Sequence, residues 1–486
     1  MSSRFAGARK KVSRAGVTLA GILVLALAVF IQPADAASKE NVPEHYKPTW
    51  ESLEKHPVPD WFHDAKFGIF IHWGVYSVPG WAPKGEYAEW YPRRMYQEGN
   101  PTYKYHKEKY GDPHEFTYND FIPMFKAEKW DPDRWADLFE KAGARYVVPT
   151  GEHHDGFPLW DSDLTEFDAA DMGPKRDLIG ELAVACRKRG MKYAPSYHRM
   201  MNYYDPPYDN GVFANPHYEP GGPDKTFVKN WKKRWEELRD KYKPDIIWFD
   251  GDWKAPVETW GTKEIMADYY NIAKHKWDKE VVVNDRMGKV RGKRGDFYTQ
   301  EYEHGLRSPD IIPQKWESCR GIGQSFGYNR QEDADDYLSA GELVDMLVDI
   351  VSKNGNLLLD VGPKANGVIP EMQREGLIGM GEWLDVNGPA IYGTRPWEVF
   401  KEDENTRFTR KDNLVYAICL EWPGEELKLT SFAEGSELCP QDIDHIRMLG
   451  VAGTVEWSRD KNALTIQVPE EKPCEHAYSF EIHLKE

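Results

Sequence analysis

Between residues 60 and 363 one pattern recurs: a short apolar run, a turn signal, a helical stretch with an apolar stripe, and another turn signal. That alternation marks repeated βα units and limits the fold more tightly than composition does. Eight runs qualify as strands: residues 67–74, 146–157, 192–198, 245–253, 281–286, 296–302, 324–329 and 356–363. The helices between them carry their own punctuation. Asp131 stands at an N-cap with Pro132 in the first turn, and RWADLFEKA closes at Gly143. RDLIGELAVACRKR closes at Gly190, TFVKNWKKRWEELRDKY and TKEIMADYYNIAKHKW are helical in period, and Ser339 to Glu342 forms a capping box opening ELVDMLVDIVSK. Eight such units predict an α/β fold of (β/α)8 type, a TIM-like barrel. An open doubly wound sheet is the second choice, because no G-x-G-x-x-G follows the first strand.

After Pro396 the texture changes to NLVYAICLEW, ELKLTSF, TVEWS and ALTIQVP, alternating segments separated by Gly, Pro and Asp. A small C-terminal antiparallel β-sandwich is expected over 396–486, behind a catalytic barrel over 37–395. The first 36 residues read as a signal peptide. Arg4, Arg9, Lys10, Lys11 and Arg14 precede the apolar stretch 15–31, and Ala34-Asp35-Ala36 is an A-x-A cleavage signal. The apolar stretch lies at the lower edge of a membrane span, which leaves an uncleaved anchor as the alternative; with the segment cleaved, the mature chain is expected off the membrane, periplasmic or secreted. A bacterial source fits the absence of an N-x-S/T sequon. The five cysteines are too scattered for a disulfide framework, and at most Cys439 and Cys474 pair.

The net charge of −17 repels nucleic acid and anionic lipid and favours a neutral substrate. In a (β/α)8 barrel the reacting groups stand at the C-terminal strand ends. The polar residues there are His72, Glu152 to Asp155, Tyr197-His198, Asp250, Asn284 to Arg286, and Glu301. Asp250 ends the apolar run IIWFD, and Gly251 behind it would let a ligand approach the backbone. Asp250 and Glu301 together offer what glycoside cleavage needs, one ionised carboxylate and one carboxyl that gives up a proton. Arg286 facing Asp250 would keep that carboxylate ionised. His153 and His154 suit recognition of sugar hydroxyls, because neutral imidazole both donates and accepts. As neighbours on a strand they would face opposite ways unless the strand had ended, an awkward pair for a metal. No metal or cofactor is expected. Trp90, Trp248 and Phe326 are core or pocket wall.

These residues carry a resemblance. WFHDAKFGIFIHWGVYSVPGWAPKGEYAEWYPRRMY, GEHHDGF, IIWFDGDW, VNDRMG, DFYTQEYE, KWESCRGIGQSFGYNR and NGNLLLDVGPKANGVIP resemble, in order, the blocks of the glycoside hydrolase family 29 α-L-fucosidases. RFTRKDNLVYAICLEWP and MLGVAGTVEWSRD resemble that family's C-terminal sandwich. The resemblance implies a retaining exo-α-L-fucosidase acting on a fucosylated glycan or small fucoside. Asp250 matches its nucleophile and Glu301 the acid/base of one branch. His72, Glu89, Trp90, His153 and His154 match residues binding the fucose hydroxyls, and Arg286 a residue near the ring oxygen. Tyr197, Trp248 and Phe326 match the pocket wall. Asp360 stands where the family leads one to expect asparagine, and PSYHRM departs from the commonest third-strand block. A silent fucose-binding protein, a metal-dependent hydrolase, and a glycosidase for a related sugar such as L-galactose are the alternatives.

Overall fold

The computed structural model describes residues 42–200, 225–251, 255–302 and 310–485, so the expected signal peptide lies outside the described residues. The first strand, β1 (Phe67–Ile71), is buried at every position, as a parallel strand covered on both faces must be. It pairs in parallel with β2 (Tyr146–Glu152) on one side and β9 (Gly355–Val361) on the other. From β2 the ring passes through β3 (Lys192–Tyr193) and β4 (Ser196–Tyr197), then by a Tyr197–Phe249 bridge to β5 (Ile246–Ile247) and β6 (Val282–Val283). An Asn284–Phe297 bridge leads on to β7 (Tyr298–Glu301), β8 (Trp316–Gly321) and back to β9. The ring is closed and parallel throughout, a TIM-like barrel.

Side chains alternate between two apolar layers. Phe70, Val148, Ala194, Ile246, Trp248, Val282 and Leu358 fill the interior. Ile69, Val147, Tyr193, Ile247, Phe249, Val283 and Leu359 face the helices. Gly68 is glycine because a Cβ there would stand 2.5 Å from the Tyr146 ring. The helices begin where the caps lie: Asp131 accepts from Arg134 N at 3.1 Å ahead of Pro132–Lys141, and Asp177 from Gly180 N at 2.8 Å ahead of Leu178–Lys188. Ser339 and Glu342 form the expected box at Ala340–Ser352. The connection from β6 to β7 carries no helix.

One expected strand is misplaced. Residues 324–329 form a loop whose amides bind carboxylates: Gln324 N and Ser325 N donate to Glu332 Oε1, and Gly327 N to Glu89 Oε2. The strand is β8, Trp316–Gly321, where Glu317 and Arg320 interrupt the apolar run. Glu317 is buried inside the barrel, accepting from Tyr146 OH at 2.6 Å and Trp248 Nε1 at 2.8 Å.

Beyond the barrel an antiparallel sheet runs β10 (Arg395–Lys401), β11 (Thr406–Lys411), β12 (Leu414–Cys419), β17 (Tyr478–Leu484) and β14 (Ile443–Met448). It packs on a smaller sheet, β13 (Glu426–Leu429), β16 (Leu464–Gln467) and β15 (Trp457–Arg459), through Phe408, Phe432, Ile446, Ile466 and Phe480. This is the expected sandwich. It is tied to the barrel by Arg407 Nε on Asp349 at 2.8 Å and Trp383 Nε1 on Ala477 O at 2.6 Å. Cys439 and Cys474 are not bonded to each other; all five cysteines are free thiols. No described helix is long and apolar enough to cross a membrane.

Candidate active site

The C-terminal strand ends surround a cavity of about 260 Å³, lined among others by His72, Glu89, Trp90, His153, His198, Trp248, Asp250, Arg286, Glu301 and Phe326. At the small end of ligand pockets, it has room for one sugar ring rather than a chain. Asp250 follows β5 on the inward alternation set by Ile246 and Trp248. Its Oδ1 accepts from Arg286 Nη1 at 2.9 Å, while His154 Nε2 and His198 Nδ1 stand 3.5 and 3.4 Å from Oδ2. Burial alone would raise its pKa; the two histidines and the guanidinium outweigh that and hold the carboxyl well below its ordinary value.

Arg286 reaches further. Its Nη2 donates to Glu301 Oε2 at 3.0 Å, its Nε to Thr299 Oγ1 at 2.8 Å, and its guanidinium carbon lies 5.0 Å from the Trp248 ring centre. One planar cation therefore bridges both carboxylates. Glu301, the last residue of β7, also accepts from Tyr87 OH at 3.0 Å.

The histidines meet because β2 ends at Glu152: the His153 and His154 rings, now off the strand, lie 4.5 Å apart on the same side. Burial holds His72 and His153 well below the ordinary imidazole value, so both are neutral. His72 Nδ1 lies 2.7 Å from Asp360 Oδ1, which leaves Nε2 for the cavity. Burial pushes Glu89 up to about 7; its Oε2 accepts from Gly327 N at 2.8 Å. The Trp90 ring meets His154 edge-on at 5.7 Å, and Phe326 lies 4.9 Å from His72. The flanking acids serve the frame: Glu152 pairs with Arg199 and Arg234, and Asp155 accepts from Tyr118 OH.

Tyr197 is not brought to the cavity. Its side chain is fully buried on the helix side, with its OH donating to Trp231 O at 3.1 Å. His198 occupies the inward position, stacked near-parallel to Trp248 at 5.7 Å. Gly251 serves packing rather than ligand approach, since a Cβ there would stand 2.2 Å from Met200 Cβ. Nitrogens of His72, His153 and His198 lie within 4.8 Å of one another, as do ligand atoms of His154, His198 and Asp250. A cation in the second group would compete with Arg286 for the same carboxylate, so the donor set fits a sugar better than an ion.

Two opposed carboxylates joined by an arginine, in a sugar-sized pocket at the C-terminal end of a (β/α)8 barrel, define a glycoside hydrolase. The α-L-fucosidase family model matches residues 34–389, and the model of its C-terminal domain matches 401–483. Human tissue α-L-fucosidase is 38% identical over 93% of this chain and 94% of its own length. The Dictyostelium discoideum α-L-fucosidase is 35% identical over 89% of this chain and 93% of its own length. Among solved structures, Thermotoga maritima α-fucosidase in complex with a mechanism-based inhibitor superposes with a TM-score of 0.77 at 40% identity, covering 90% of this chain and all of that one. The same enzyme in complex with fucose gives 0.76. The chain belongs to the α-L-fucosidase family.

Proposed function

We propose that the protein is a retaining exo-α-L-fucosidase that releases terminal fucose from fucosylated glycans or small fucosides. The observation that carries this reading is the Arg286 bridge between Asp250 and Glu301 at the rim of a one-sugar cavity. One guanidinium bonded to both carboxylates holds them on opposite sides of the same small space, as the close pair of a retaining enzyme, roughly 5–5.5 Å apart, requires.

Asp250 attacks the anomeric carbon as the glycosidic C–O bond breaks, and Glu301 gives its proton to the leaving oxygen. Glu301 then takes a proton from water, which displaces Asp250 and restores the original configuration. Arg286 keeps Asp250 anionic and follows Glu301 through its change of charge. His72, Glu89, Trp90, His153 and His154 hold the sugar hydroxyls, and His198 joins them from the inward position, while Tyr197, expected in the pocket wall, faces the helices. Trp248 and Phe326 supply the apolar wall for the C6 methyl group. The N-terminal segment supports an exported enzyme, periplasmic or secreted.

The test is release of p-nitrophenol from p-nitrophenyl α-L-fucoside by residues 37–486, with the product anomer followed by NMR. Retention is expected, undiminished by a chelator. Inversion would overturn the double displacement, and loss of activity with EDTA, restored by metal, would turn the histidines into ligands.

A further inference from the structure

Glu317 takes no part in the bond-breaking steps, yet its carboxyl is buried in the barrel interior just beneath the site. In the register of β7 and β8, Thr299 lies beside Glu317 and Glu301 beside Cys319. Period two therefore sets Thr299 and Glu317 one inward step below the acid/base. There the Trp248 indole Nε1 donates to Glu317 Oε1 at 2.8 Å, and Tyr146 OH donates to Oε2 at 2.6 Å. Burial pushes the carboxyl up to about 7, against those two hydrogen bonds and the Lys315 and Arg286 charges. With or without a proton on Oε2, Oε1 accepts from the indole.

Two partners of the nucleophile lean on that indole. The Arg286 guanidinium carbon lies 5.0 Å from the Trp248 ring centre, and the His198 ring is stacked near-parallel to it at 5.7 Å. The same two side chains stand 2.9 Å from Asp250 Oδ1 and 3.4 Å from Oδ2. Arg286 is set from below a second time, by Thr299 Oγ1 at 2.8 Å. The other groups around the indole include Phe70, Ala194, Ile246 and Val282, all apolar. Apolar packing is non-directional, whereas a hydrogen bond to Nε1 selects one ring plane. We propose that Glu317 is a positioning residue for the nucleophile: by holding the Trp248 indole it fixes the surface against which Arg286 and His198 meet Asp250. The inference rests on Asp250 being the nucleophile.

The experiment measures kcat/KM on p-nitrophenyl α-L-fucoside together with urea midpoints. Glu317→Leu should lose about tenfold in kcat/KM, the cost of a slightly misplaced reacting group. Glu317→Gln keeps an oxygen for the indole and an NH2 for the Tyr146 oxygen, and should stay within about threefold of wild type. Tyr146→Phe removes the other donor to Glu317 from a residue outside the pocket. It should lower the urea midpoint, as Glu317→Leu does, yet leave kcat/KM within about twofold, which separates lost stability from lost positioning. In Trp248→Phe, which has no indole N–H, adding Glu317→Leu should cost no further rate. That pair leaves no indole N–H unpaired, so it serves even where Glu317→Leu alone fails to fold. An equal loss from Glu317→Leu in both backgrounds, or the same tenfold loss in Tyr146→Phe, overturns the proposal. The premise is tested apart: failure of azide to restore Asp250→Ala would remove the nucleophile whatever the Glu317 variants do.

Discussion

At the C-terminal end of the barrel the buried charges face one another across a cavity, Arg286 against Asp250 and Glu301. At the N-terminal end two lysines are buried without such company. Lys66, just before β1, is 0% exposed, and its Nζ has no hydrogen-bond partner among the described residues. Lys315, just before β8, has Nζ on Asn354 O at 3.1 Å. Burial, with the nearby Arg395 charge, pushes Lys66 down to about 7, and burial drives Lys315 well below its ordinary value, to which Lys66 and Arg395 add. Both ends are strongly perturbed, yet one is a site and the other a frame. A displaced pKa marks function only where opposed groups converge on a space a ligand can enter.

The largest effect expected is at the first end. Asp250→Ala should lose roughly 10⁴–10⁶ in kcat, with partial recovery in azide, which can take the nucleophile's place; wild-type turnover would sink the assignment. At the other end the effect is on stability. Between about pH 7 and 10.5 the unfolded Lys66 binds a proton that the folded one does not, so this residue's penalty is full below about pH 7 and fades as pH rises towards 10.5. Lys66→Met should raise the urea midpoint at pH 7, by up to roughly 5 kcal/mol of unfolding free energy, and the gap over wild type should narrow by pH 9.5. An equal gap at both pH values would mean that Lys66 is charged in the fold.

The next contrast is between neighbours. Ala194 faces the barrel interior and Tyr193 the helices, so period two puts Ser196 and His198 inside and Tyr197 outside. His198→Ala, which strips a partner from Asp250, should cost about 10²-fold in kcat, while Tyr197→Phe should stay within about threefold. The reverse order would break the alternation argument. The signal for His198 was in the sequence, in the alternation rather than in the block PSYHRM as a unit. Caps were legible for the same local reason: Asp131 and Ser339 bind amides three residues away. β8 was not, because a buried Glu317 becomes intelligible only with Tyr146 and Trp248 beside it, and both come from distant strands. Likewise the Arg286 bridge depends on Glu301 arriving from the next strand.

The smallest effect expected concerns Asp360, the carboxyl where the family pattern leads one to expect asparagine. Burial, reinforced by the Glu89 charge, raises it well above its ordinary value, while burial lowers His72; both shifts favour the neutral form of each group at the 2.7 Å contact. In that state the carboxyl O–H would donate to His72 Nδ1, as a carboxamide N–H would, and leave the same Nε2–H facing the cavity. That equivalence is why a carboxyl is tolerated here, and it predicts that Asp360→Asn keeps turnover near pH 6 within about threefold. The difference lies in the proton. Above the unfolded value of 3.8 the native carboxyl must hold a proton that the unfolded chain has released, so its contribution to stability falls as pH rises until the raised native value is passed. Asparagine has no proton to hold. Urea midpoints of Asp360→Asn and wild type should therefore nearly coincide at pH 4 and separate in favour of the variant by pH 7. A gap that stayed constant across that range would show Asp360 to be ionised in the fold, with His72 presenting the opposite tautomer to the sugar.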